Sequence, residues 1–130
     1  MTTHDNNARD WIRTAASRLR SADILYSSEG ASEAAVELLH EAAERFLKAF
    51  LVKNGWELRR IHDLGALVAE AEAFDPAFEK FADVADQLTD QFWAQHYPGG
   101  DLAEVGHDYE TMREAVGWLA QRVEEAIAQR

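Results

Sequence analysis

The segment from Leu38 to Leu64, LLHEAAERFLKAFLVKNGWELRRIHDL, restricts the fold more than any other part of the chain. Its first part is a long apolar helix pattern that ends at Asn54-Gly55, because glycine readily takes the left-handed conformation that ends helices. A short basic loop follows, and Asp63 is a suitable cap for a new helix. The segment therefore predicts two helices joined by a sharp break, as in a helical bundle.

The helix before this break has an unusually wide apolar face. Two sets of apolar residues recur at helical spacing, one through Ala35, Leu39, Ala42, Phe46 and Phe50 and the other through Leu38, Ala43, Leu47 and Leu51. A helix with this much apolar surface lies in the centre of a bundle or contacts a partner on its second flank.

The rest of the chain predicts further helices and no strands. Capping and breaking residues mark the helix boundaries: Asn7, Gly30, Ser32, Asp63, Asp75-Pro76 and Pro98. The first helix is expected to run to about Ser28 and the last to begin near Asp108, because Gly106 keeps the stretch before it loose. The short connections predict an all-α fold, an up-and-down antiparallel bundle of four long helices plus one short helix, in a single domain over residues 1–130.

The composition is globular with a strong acidic bias. The 130 residues include no cysteine, which excludes disulfides and thiolate chemistry, and carry a net charge of −11. The segment between Leu64 and Met112 contains eleven acidic residues and a single basic residue, Lys80. This charge repels DNA and anionic membranes, so neither is an expected partner. With no apolar run long enough for a bilayer and no visible secretory signal, a cytoplasmic location is expected.

Two Glu-x-x-His pairs, Glu37 with His40 and Glu104 with His107, raise the question of metal binding. Paired motifs of this kind hold di-iron centres in helical bundles when they point into the core. Glu37 and His40 instead belong to a polar stripe with Glu33, Glu41, Glu44 and Lys48, which is expected to point outward. We therefore predict no metal and no cofactor.

A basic cluster surrounds the end of the second helix and consists of Arg45, Lys48, Lys53, Arg59, Arg60 and His62. Together with Trp56 it offers stacking and phosphate contacts, so these cations are candidates for binding an anion, a nucleotide or RNA. The alternative is ordinary solvated charge, favoured in part by the helix dipole. A second candidate is His96-Tyr97 in a glycine-rich loop, with a catalytic role. There the alternative is that Trp93 and Tyr97 close the end of the bundle.

These segments resemble a HEPN domain (higher eukaryotes and prokaryotes nucleotide-binding). The resemblance lies in Glu41–Leu51, in the Gly55 break followed by His62-Asp63-Leu64, and in Tyr97-Pro98 after a long helix. It implies a helical bundle that usually dimerises and often accompanies a minimal nucleotidyltransferase in toxin–antitoxin-like systems. Many members are metal-independent ribonucleases with an Arg followed, after four to six residues, by His.

The ribonuclease pattern of the family does not carry over to this chain. If His96 is the equivalent histidine, the Arg would stand at position 89, 90 or 91, which are Thr89, Asp90 and Gln91. The leading hypothesis is therefore a homodimeric binding domain without catalysis, for a nucleotidyltransferase partner, a nucleotide or RNA. A divergent ribonuclease using His96 and Tyr97, or a sensor of nucleotide phosphate, are the alternatives.

Overall fold

A computed structural model shows an all-α bundle. It describes the backbone of residues 3–57, 61, 63–96 and 105–128, and the side chains of residues 8–57, 61, 63–91 and 109–128. Within these residues the chain forms five α-helices and one 3₁₀ helix and no strand, which confirms the predicted fold class. The elements are α1 (Thr3–Glu29), α2 (Glu33–Lys53), α3 (Leu64–Glu72), a 3₁₀ helix η1 (Pro76–Phe81), α4 (Ala82–His96) and α5 (Val105–Ala128).

The wide apolar face of α2 is explained by its central position. Its side chains are buried on two flanks, and it packs against α1, α3, α4 and α5. Leu39, Phe46 and Leu47 are almost completely inaccessible to solvent. Of the two alternatives that the sequence left open, burial in the bundle centre therefore accounts for the apolar surplus of α2 without a partner.

The predicted caps position most of the connections. The Ser32 hydroxyl accepts a hydrogen bond from the Ala35 N–H (3.2 Å) at the start of α2, and Gly55 ends that helix with a φ of 86°. Asp63 caps α3 by accepting from the Gly65 N–H at 2.9 Å. Asp75 accepts from the Ala77 N–H at 3.0 Å at the start of η1.

Three predicted boundaries differ from the structure. α1 begins at Thr3, so Asn7 lies inside the helix rather than capping it, and α5 begins at Val105 with Gly106 in its first turn. The segment predicted as one fourth helix is divided into η1 and α4. A glycine in a first turn costs less than one in mid-helix because fewer helical hydrogen bonds depend on it, so Gly106 does not delay α5.

Two antiparallel seams fix α1 in the bundle. Along α2, Trp11 lies beside Lys48 and Arg18 beside Glu41, so the two helices run in opposite directions. Along α5, the rings of Tyr26 and Tyr109 stack with centroids 4.4 Å apart. None of the described helices combines the length and hydropathy needed to cross a bilayer.

Candidate functional site

The face of α2 that carries His40 and Lys48 is covered by α1, and the expectation of an outward polar stripe is therefore wrong for these two residues. Each keeps only 4% of its surface exposed. The Lys48 ammonium donates to the Glu44 carboxylate at 3.0 Å and lies 5.7 Å from the centre of the Trp11 ring. A buried cation needs such partners, because its water shell is lost on folding. Lys48 thus helps to join the two helices.

Arg45, one turn before Lys48, opens onto a groove between α1 and α2. The groove has a volume of about 200 Å³ and is lined by Asp10, Trp11, Thr14 and Arg45. Among the described residues, no ion pair or hydrogen bond engages the Arg45 guanidinium. Arg45 is half-buried, and a guanidinium that is not already paired with a carboxylate is well suited to bind an anion. This groove therefore brings together the Arg45 guanidinium, unpaired within the described part of the chain, and the indole of Trp11.

The opposite groove wall is held by local contacts within α1. The Thr14 hydroxyl donates to the Trp11 carbonyl at 3.0 Å, and Asp10 forms an ion pair with Arg13 at 2.9 Å. Both side chains of that ion pair are exposed, at 63% and 77%, so water competes with it effectively. The Asp10 carboxylate therefore remains accessible to a ligand in the groove.

The other members of the basic cluster are only partly placed. Lys53 is the last residue of α2 and is half-buried, two turns beyond Arg45 on the same helix. Arg59, Arg60 and His62 lie outside the described residues. The structure therefore brings Arg45 and Lys48 to one face of α2, with Lys48 buried and Arg45 open to the groove.

One of the two candidate catalytic residues, His96, lies at the end of α4. His96 is the last residue of α4, and its side chain and all of Tyr97 lie outside the described residues. Thr89, Asp90 and Gln91 precede it on the same helix, within two turns, with Asp90 exposed. The positions from which a ribonuclease of this type would supply its arginine are thus occupied by a hydroxyl, a carboxylate and an amide.

A polar network on the α1–α5 seam was not predicted. Arg113 donates to both carboxylate oxygens of Asp23, at 2.6 and 3.0 Å, and this hydrogen bonding raises the pKa of Arg113. The buried Tyr109 hydroxyl donates to the Ala22 carbonyl at 3.3 Å, and burial raises the pKa of Tyr109 to about 12. Tyr26 donates to Glu110 at 2.9 Å. These contacts connect the helices and leave Tyr109 without solvent access.

The metal hypothesis gains no support from the described residues. Glu37 is exposed and His40 is buried, so the pair does not converge on one point of the surface. No group of three or more metal-ligating side chains occurs within the part of the chain that the structure describes. Glu104 lies outside that part, as does the side chain of His107.

The geometry defines a small all-α domain with a surface groove lined by one aromatic ring, one carboxylate and one guanidinium. A family model described as the HEPN domain matches residues 8–128, nearly the whole chain. The chain belongs to the HEPN domain family. Comparison with curated proteins gave no significant match. Comparison with solved structures gave none either.

Proposed function

We propose that this chain is a HEPN-type binding domain without intrinsic catalysis, which forms a homodimer, associates with a minimal nucleotidyltransferase and binds nucleotides. The observation that carries the proposal is the composition of α4 before His96. An arginine there would stabilise the charge that develops at a phosphate during RNA cleavage, whereas Asp90 would oppose it. Binding without cleavage is the function that remains.

Nucleotide binding is supported by the groove between α1 and α2. It offers the guanidinium of Arg45, which is unpaired among the described residues, and the indole of Trp11, the two groups that phosphate contact and base stacking require. It is also built from α1 and α2, which lie outside the strongly acidic segment between Leu64 and Met112. An anionic ligand therefore meets less repulsion here than it would near α3 or α4.

Cleavage is tested with pure protein and mixed RNA, using wild type and His96→Ala. We expect neither protein to cleave, with circular dichroism showing that both are folded. Cleavage by the wild type that disappears in His96→Ala would replace this proposal with the divergent ribonuclease.

The assembly is tested separately by sedimentation equilibrium. We expect a species of twice the 14.6 kDa chain mass, and a species of 14.6 kDa at all concentrations would remove the homodimer from the proposal. Co-expression with a nucleotidyltransferase encoded beside this chain, followed by purification through a tag on one protein, tests the partner. A transferase that fails to co-purify would reject that association.

A further inference from the structure

The residues that line the groove between α1 and α2 indicate a more specific ligand than an anion in general. We propose that it is a guanine-nucleotide site, in which Trp11 stacks on the base, Asp10 reads its hydrogen-bonding edge and Arg45 binds the phosphate. This inference rests on the nucleotide binding proposed above and adds the identity of the base and the residues that select it.

The size of the groove suits a single base. Its volume of about 200 Å³ is below the range of roughly 300–1,000 Å³ that encloses a whole drug-sized ligand. The groove can therefore hold a single base of a nucleotide, with ribose and phosphate at its open side.

Trp11 provides one wall for stacking. The Lys48 ammonium lies 5.7 Å from the ring centre and is almost fully buried, so it approaches the indole from the protein interior. The surface of the indole that lines the groove is therefore available to a base. Stacking of this kind accepts any base, so it contributes affinity without selecting among them.

Asp10 supplies the selection. An ionised carboxylate can only accept hydrogen bonds, and guanine presents two adjacent donors, N1–H and the N2 amino group. Adenine presents a lone pair at N1, which the carboxylate repels. The exposed ion pair between Asp10 and Arg13 leaves the Asp10 carboxylate available to the base, because a surface ion pair contributes little to stability and is readily exchanged.

Arg45 completes the site from the α2 side. Its guanidinium has no competing ion pair among the described side chains, and the residue is half-buried and lines the groove together with Trp11. A guanidinium binds two phosphate oxygens at once, and it is less strongly hydrated than an ammonium. Arg45 therefore favours a nucleotide over the free base.

The test is isothermal titration of the full-length chain with GMP, AMP and inorganic phosphate at low ionic strength. We expect GMP to bind about tenfold more tightly than AMP, the discrimination of one two-point contact to a base edge. Asp10→Asn should abolish this preference by weakening GMP and strengthening AMP, because it removes the carboxylate that accepts from guanine and repels adenine N1. Arg45→Ala should weaken both nucleotides about tenfold, because it removes the phosphate contact. Asp83→Asn and Arg20→Ala, two exposed sites elsewhere, are the matched controls and should bind like wild type.

Circular dichroism of each variant shows whether it is folded. Trp11→Ala should lower the affinity for GMP and for AMP without altering the ratio of the two affinities. Equal binding of GMP and AMP, or an unchanged preference in Asp10→Asn, overturns the guanine site while nucleotide binding by the domain survives. Inorganic phosphate that binds as tightly as GMP also overturns it, in favour of a simple anion site. If no nucleotide produces a binding heat, the proposal that the domain binds nucleotides is rejected. The proposed homodimer and transferase association are not affected by this result, because they have separate tests.

Discussion

Two ion pairs on α1 differ in how much they stabilise the fold. Asp23 is held by two hydrogen bonds from Arg113 on another helix, whereas Asp10 has one exposed contact to Arg13 within its own helix. We expect Asp23→Asn to lower the free energy of unfolding by about 1 kcal/mol, and Asp10→Asn by less than about 0.5 kcal/mol. Urea denaturation measures both. Equal losses would show that the α1–α5 pair is as weak as a surface contact.

Tyr109 gives the fold a specific sensitivity to alkaline pH. Burial, assisted by the nearby Asp23 carboxylate, raises its pKa from 10.0 in the unfolded chain to about 12. The folded protein therefore retains this proton longer than the unfolded chain does. The associated stability is complete below pH 10 and is lost as pH rises through 12, at about 1.4 kcal/mol per pH unit.

Tyr109→Phe separates this effect from other alkaline titrations. The variant lacks the hydrogen bond to the Ala22 carbonyl, so near neutral pH it should be less stable by about 1 kcal/mol. Above pH 10 the wild type should lose this advantage, because only the wild type carries the buried phenol. Urea unfolding across pH 8 to 12 measures the difference. A constant difference between the two proteins would contradict the raised pKa.

Part of the candidate site follows from the sequence. In an antiparallel hairpin, residues equally distant from the turn lie side by side, and Trp11 and Lys48 are equally far from the Glu29–Gly30 peptide. The helix boundaries therefore contain enough information to pair them. The periodicity of α2 alone does not predict which residue of α1 lies beside Lys48, since it gives the direction of each side chain but not the helix that covers it. For this reason His40 and Lys48 were expected to face solvent.

The helix boundaries also show that the sequence predicts local contacts better than contacts between distant parts of the chain. Ser32, Asp63 and Asp75 act as predicted because a cap is a contact between neighbours in sequence. The start of α5 was placed too late because helix propensity at Gly106 is a weak local preference that surrounding structure overrides. The Tyr26–Tyr109 stack joins residues far apart in the chain, and no local pattern identifies it.

Asp75 combines a helix cap with a contact between elements. Burial works to raise its pKa, but hydrogen bonds from Arg122 and the Ala77 N–H outweigh burial and lower the pKa below 3.8. The stability that this carboxylate contributes is therefore present above pH 3.8 and is lost as pH falls through the lowered pKa. The group ties the start of η1 to the last turns of α5.

Two substitutions separate these roles of Asp75. Asparagine caps helices about as well as aspartate, so Asp75→Asn should lose only the charge interaction with Arg122, at up to about 1 kcal/mol. Asp75→Ala should lose about 1 kcal/mol more because the cap is also removed. Urea unfolding at pH 7 and pH 3 measures both, and the difference between wild type and Asp75→Asn should shrink at pH 3. Identical losses for the two variants would show that the cap contributes nothing.

At the scale of the molecule, charge is divided between its two parts. The segment that forms α3, η1 and α4 holds most of the acidic excess, while α1 and α2 carry the groove and nearly equal numbers of acidic and basic residues. Asp63 and Asp86 illustrate the crowding. Both carboxylates lie near Gly65, where an added Cβ would be 3.3 Å from an Asp63 oxygen and 3.5 Å from an Asp86 oxygen. Like charges this close destabilise the folded state and leave the groove side as the approach for an anion.

Reversing one of these charges should therefore stabilise the protein. Asp86 is exposed on α4, so we expect Asp86→Lys to raise the free energy of unfolding by about 0.5–1 kcal/mol at low salt, with Asp86→Asn giving a smaller gain. Salt screens exposed charges, so both gains should shrink at high sodium chloride concentration. Urea unfolding at low and high salt measures them. A gain independent of salt would assign the effect to helix propensity, because propensity does not respond to ionic strength while repulsion between carboxylates does.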